Sequence, residues 1–145
     1  MAGDLLRPTE KAAISALKAD EGLTAIVPAA SIDPYAEAPD WPFIRLDGTQ
    51  AIPQGRGCTA RSQVTFMLHA FAKPRRDGAG SKIEEARDHA GRISDAITEA
   101  LQAHAYEYDD RRYNFTVRSS RIMRDGAEAD AWHAVISVMA RVYAG

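Results

Sequence analysis

Residues 81–102, SKIEEARDHAGRISDAITEALQ, keep a single periodicity longer than any other part of the chain. Ile83, Ala86, Ala90, Ile93, Ile97, Ala100 and Leu101 recur at three- and four-residue steps. Lys82, Glu85, Arg92, Asp95, Thr98 and Glu99 fall between them, which predicts a long helix with one apolar face. Ser81 followed three residues later by Glu84 reads as a capping box, and Gly78 and Gly80 stop anything upstream, so the helix is expected to begin at Ser81. A helix of this kind is stable only when its apolar face is packed, and the rest of the chain must supply the surface.

That surface reads as a sheet. Residues 131–143 place Ala134, Ile136, Val138, Ala140 and Val142 on one face, opposite His133, Ser137 and Arg141. Residues 61–73 send Val64, Phe66, Leu68 and Ala70 one way and Thr65, Met67, His69 and Phe71 the other. Residues 43–47 form a short strand with Ile44 and Leu46 inward, and Tyr113, Phe115 and Val117 open another over 113–124. Asp125 and Gly126 mark a hairpin connection to the last strand. Before the sheet, residues 9–20 read as a helix burying Ala13, Ile14, Ala16 and Leu17, with Pro8 tolerated in its first turn. Leu23, Ile26 and Val27 form a short apolar knot. Pro34, Pro39 and Pro42 make 31–42 an extended connector, expected to dock through Ile32 and Tyr35. Two stretches read as irregular: the glycine-rich loop 48–59, expected to be mobile in the isolated subunit, and the polar turn region 106–112. The expectation is an α+β fold: a mainly antiparallel sheet of four to five strands, with the long helix and the N-terminal helix packed mostly on one face. At 145 residues, one domain covering 1–145 with one core suffices.

No chemistry of turnover is written in the side chains. The four histidines show no HxxxH-type spacing, so no metal site is expected. His69 and His133 do fall on the same kind of sheet face, which keeps open a small cytoplasmic enzyme built around them; no acidic cluster or glycine turn near them in sequence supports it. The single Cys58 excludes a disulfide framework and, in a loop, reads as an incidental thiol. The run around Gly55, Arg56 and Gly57 lacks the strand-before, helix-after setting of a phosphate cradle. No catalytic, cofactor-binding or metal residue is assigned. Eighteen basic residues against twenty acidic ones do not suit a protein that mainly grips nucleic acid or an anionic membrane. Arg111, Arg112, Arg118, Arg121 and Arg124 with Tyr106, Tyr108 and Tyr113 resemble a base-stacking sheet surface, the second alternative, but Glu107, Asp109, Asp110 and Asp125 interleave and cancel much of the field. No run of eighteen apolar residues and no charged-then-apolar N-terminal pattern occurs, so a soluble chain without a signal peptide is expected.

The second sheet face is too apolar for plain solvent. Met67, Phe71, Val135, Met139 and Tyr143 lie there among Thr65, Ser137 and Arg141; the connector can cover part of it, and the remainder reads as a protein contact. The interface candidates are Met67, Phe71, Met139 and Tyr143 on this face, Arg75 and Arg76 at its rim, and Gln54 and Arg56 at the tip of the glycine-rich loop.

The order of blocks, LKADEGLTAIV, IDPYAEAPDWPFIRL, VTFMLHAFA, EEARDHAGRISDAITEAL, SSRIMRDG and WHAVISVMARV, resembles the tail-completion, or tail-terminator, family of long-tailed bacteriophages and phage-derived particles. The resemblance implies a structural subunit with no enzymatic activity and no cofactor. Such subunits form a ring, usually six-fold, that caps the finished tail tube and faces the head-proximal neck. Its implied partners are therefore further copies of itself, the tail tube protein and a neck or connector protein. No membrane is implied, and no sequence-specific nucleic-acid binding, although the genome passes through the ring. The implied place is the tail of a virion or phage-like particle, after synthesis in the bacterial host cytoplasm.

Overall fold

The strand Trp132–Ala144 (β7) lies in the middle of the fold because both its neighbours can pair along most of its length. The structure, a computed structural model, describes residues 5–52 and 61–144. β7 pairs antiparallel with Arg61–Ala72 (β2) on one side and Arg111–Arg124 (β6) on the other. Phe43–Ile52 (β1) extends the sheet beyond β2, and Tyr106–Tyr108 (β5) extends it beyond β6, in the order β1-β2-β7-β6-β5. Ala134, Ile136, Val138, Ala140 and Val142 are all buried on one side, level with Val64, Phe66, Leu68 and Ala70 of β2. Each large aliphatic side chain so placed contributes roughly 1.5–3 kcal/mol.

Onto this face pack the N-terminal helix Leu6–Ala19 (α1) and the long helix Ala86–Gln102 (α3). Helix α3 buries Ala90, Ile93, Ile97 and Leu101, and α1 buries Ala12, Ala13, Ala16 and Leu17. A short helix Glu21–Thr24 (α2), capped by Asp20 through the Leu23 amide, carries Leu23 and leads to Val27, both fully buried. The fold is therefore α+β, with an antiparallel five-stranded sheet and its helices on one face.

Four local readings of the sequence are corrected. The long helix begins at Ala86, because residues 82–84 instead form a strand (Lys82–Glu84, β4) paired with Arg75–Arg76 (β3) in a separate hairpin. Ser81 does not cap the helix: its amide donates to Asp77 Oδ1 at 2.9 Å, and Ile83 is 53% exposed. Residues 48–52, expected in a mobile loop, continue β1 past an irregularity between Asp47 and Gln50, where Gly48 takes φ +66°, a conformation that suits glycine. The remainder of that loop, with Gln54, Arg56 and Cys58, lies outside the described residues. The polar turn region 106–112 holds β5 and the start of β6, joined by Asp109 and Asp110 at positive φ. In the connector Ile32 docks as expected and bridges to Ile44, whereas Tyr35 is fully exposed.

Candidate functional site

The face of the sheet away from the helices carries the side chains that the core does not use. Cross-strand register sets their order: Phe43 pairs with Phe71 and Phe71 with His133; Arg45 pairs with His69 and His69 with Val135. Farther along, Thr65 pairs with Met139 and Met139 with Thr116, while Arg112 lies beside Tyr143. Alternation puts all of these on the open side.

At one end they form an aromatic row. The Phe43 and Phe71 rings stack at 4.7 Å, Phe71 and His133 stack at 4.4 Å, and Trp41 meets Phe43 edge-on at 5.0 Å. Lys73 Nζ lies 4.7 Å above the Trp41 ring, closing the end of the row. The connector is held against β1 by Arg45, whose guanidinium donates to the carbonyls of Pro34 (3.0 Å) and Ala36 (2.7 Å). This pinning delivers Trp41 onto the face.

Beside the row runs a polar chain that the sequence did not reveal. His69 Nε2 lies 2.9 Å from Asp47 Oδ1, and His69 Nδ1 lies 2.8 Å from His133 Nε2. An ionised carboxylate only accepts, so His69 carries its proton on Nε2; with both rings neutral, His133 Nε2–H then donates to His69 Nδ1. Burial, and next the neighbouring His69, push the His133 imidazole below its ordinary range. The acidic neighbour missing from the local sequence is thus Asp47, brought in from β1. It shares the Phe43 and Arg45 alternation, but which residue it faces depends on register. The chain can relay a proton along its length. Three surface clefts lie elsewhere: around residues 107–112, along α1 beside Tyr35 and Tyr108, and at the start of α3 beside Trp132. None of the three is lined by His69 or His133. The other histidine in the core, His89, is 3% exposed and hydrogen-bonds through Nδ1 to the Lys73 carbonyl, a packed and satisfied ring.

Among the sequence-derived interface candidates, Met67, Phe71, Met139 and Tyr143 do share the open face, but they are spread along it. Phe71 is at the end near Trp41, and Tyr143 is ten residues along β7 from His133, roughly 30 Å away. Met139 is buried at 6% exposure between its threonine neighbours, Met67, Phe71 and Tyr143 are half-buried, and Arg112 rests over the Tyr143 ring at 4.9 Å. Arg75 and Arg76 sit off the sheet, on the β3–β4 hairpin. Arg75 and Arg92 both bind Glu84, Arg92 in two-pronged fashion at 3.0 and 2.9 Å and Arg75 at 2.7 Å. The Arg92 hydrogen bonds, working against burial and helped by Arg75, hold the Glu84 carboxyl down at about 2.

This face belongs to a fold with a known counterpart. The family model for tail completion protein gp17 matches residues 11–143. The chain belongs to that family. As a member of the tail completion family it is a structural protein of a phage-type particle, with its place in the tail, where it assembles with other proteins of the particle. A chain of the virion of a native gene transfer agent particle has the same fold: TM-score 0.73 over 97% of this chain and 99% of that one, at 17% identity. No curated protein sequence matches. Among the described residues no helix is long and apolar enough to cross a membrane.

Proposed function

We propose that this tail completion protein caps the finished tail tube as a ring, six-fold as the resemblance implies, and forms the tail side of the head–tail junction. The observation that carries this reading is the family match across residues 11–143. The one-sided fold is compatible with it. A sheet with all its helices on one face leaves the other for partners, and here that face holds half-buried Met67, Phe71 and Tyr143 instead of a uniformly polar surface. The partners are neighbouring copies, the tail tube protein and a neck protein. The segment bearing Gln54 and Arg56 is the further candidate contact.

The test is to delete the gene from a particle-producing strain and image the products. Free heads alongside tails that lack a closed head-proximal end are expected, and labelled protein added back should decorate only that end. Light scattering and negative-stain images of the purified protein, alone and with tubes, should show rings. Label along the tube or at the distal tip, or normal particles without the gene, overturns the proposal.

A further inference from the structure

Exposed side chains of opposite sign, outside any ion pair among the described residues, lie toward the two ends of the sheet. At the β1 end the connector is a fixed part of the fold: Ile32 bridges Ile44, the Asp33 amide donates to the Ile44 carbonyl at 2.6 Å, and Arg45 holds two connector carbonyls. It displays Asp33, Glu37 and Asp40, all exposed. Among the described residues none of these forms an ion pair; Arg7, Lys11, Lys18 and Arg45 line the cleft beside Asp33, Arg7 being paired to Glu10, whereas Glu37 and Asp40 lie outside that cleft. At the β6 end the short β5 reaches only Arg111, Arg112 and Tyr113. Beyond it β6 has no outer strand among the described residues, and only the Val117 amide is taken, by Gln102 Oε1 at 2.7 Å. Arg118 and Arg121 are exposed there, without a carboxylate within 4 Å among the described residues.

Charge on a sheet edge ordinarily serves as a guard against edge-to-edge aggregation. A guard repels only if both edges carry the same sign. The connector beside β1 and the exposed stretch of β6 carry opposite signs, with β2 and β7 between the two strands in the sheet, and so attract. A contact between two different patches of one chain is heterologous, and it builds a closed ring when the rotation between copies closes. We propose that each subunit docks the Arg118 and Arg121 side of its β6 onto the Asp33, Glu37 and Asp40 connector of the next copy. The irregularity in β6 between Val117 and Ser119 interrupts the edge, so side chains make the contact instead of a continued backbone ladder. This rests on the ring reading above and adds which two surfaces meet.

Two charge-reversed proteins test it. One carries Arg118→Glu with Arg121→Glu, the other Glu37→Lys with Asp40→Lys. All four positions are exposed, so both should fold with wild-type circular dichroism. Each alone sets like charge against like and should lose ring formation, on tubes or free, with self-association weakened about 100-fold or more. Mixed in equal amounts they should recover rings, because each variant's reversed surface now matches the other's, and the recovered rings should alternate the two proteins by native mass spectrometry. Wild-type rings should weaken as salt rises. Normal rings from either folded variant alone, or no recovery on mixing, overturns the pairing while leaving the ring itself standing. Loss by the arginine variant alone, with the connector variant normal, assigns Arg118 and Arg121 to another anionic partner, and also overturns it. A wild-type protein that forms no ring, free or on tubes, removes both proposals together.

Discussion

Replacing Glu84 by Gln keeps the shape of the side chain and removes the charge that joins the β3–β4 hairpin to the long helix. A carboxyl held at about 2, against an ordinary 4.5, corresponds to roughly 3 kcal/mol of preference for the charged form. Arg75 and Arg92 are 46% and 42% exposed, so solvent and salt screen much of this, and about 1–2 kcal/mol should remain as stability. For a chain of this length that is a fall in Tm of about 3–6 °C at pH 7. The sign follows from the depressed folded-state value. The unfolded chain binds the Glu84 proton more readily, so the contribution is complete above about 4.5 and disappears as pH falls toward about 2. Urea unfolding of both proteins at pH 7, 5 and 3.5 should therefore give curves that differ most at pH 7 and 5, with the difference narrowed at 3.5 and closing only toward about 2. A Gln variant as stable as the parent at pH 7, or a difference unchanged at pH 3.5, would show that the two-armed grip on Glu84 does not hold the hairpin.

Ile136→Asp places a carboxylate at a fully buried position in the middle of β7, which costs several kcal/mol of a total near 5–15 kcal/mol; far-UV circular dichroism should show an unfolded chain. Gly91→Ala should stabilise: the new methyl would meet only the flexible end of Ile122, at 3.4 Å, and α3 should gain about 0.5–1 kcal/mol in urea unfolding. The His133 imidazole should titrate below 6.5 by NMR. Because its folded value is lowered, the stability it confers is complete above about 6.5 and is lost on acidification, a dependence that His133→Phe should abolish.

The strands β2 and β7 and the apolar face of α3 were legible because one side of each is continuously buried, and a period of two or 3.6 then has a single solution. The helix start was not. Ile83 and Ala86 are three apart, a spacing that also fits a strand residue followed by a helix residue, and Ser81 with Glu84 imitates a capping box. What decides against it is distant: Glu84 is taken by Arg92 and Arg75, and the Ser81 amide by Asp77. Tyr35 was misjudged because an aromatic in a proline-rich connector looks like an anchor, whereas Arg45 holds that segment by its carbonyls and Trp41 supplies the ring contacts. Of the open face, the composition was readable from alternation alone. The Asp47, His69 and His133 chain was not, since His69 and His133 sit diagonally, one paired with Val135 and the other with Phe71, and no local pattern reports a register between strands 60 residues apart.

Arg118 is the one residue of β6 that the ladder does not count. Val117 lies opposite Val138 and Ser119 opposite Ser137, so the chain spends two steps where its partner spends one. Removing a residue elsewhere in the middle of β6 would turn over the side chains between the gap and this irregularity, which must close to restore the alternation beyond. Removing Arg118 would leave Val117 inward and Ser119 outward in an unbroken alternation, with Ile122 still against Gly91. A scan of single-codon deletions along this strand, read by folding, should therefore find stability best kept at Arg118 and its exposed neighbour Ser119 and lost as the gap moves away from them. Relatives that differ in length by one residue here can share the same core, and an alignment that pushes the gap away from it would invert the faces of the residues between.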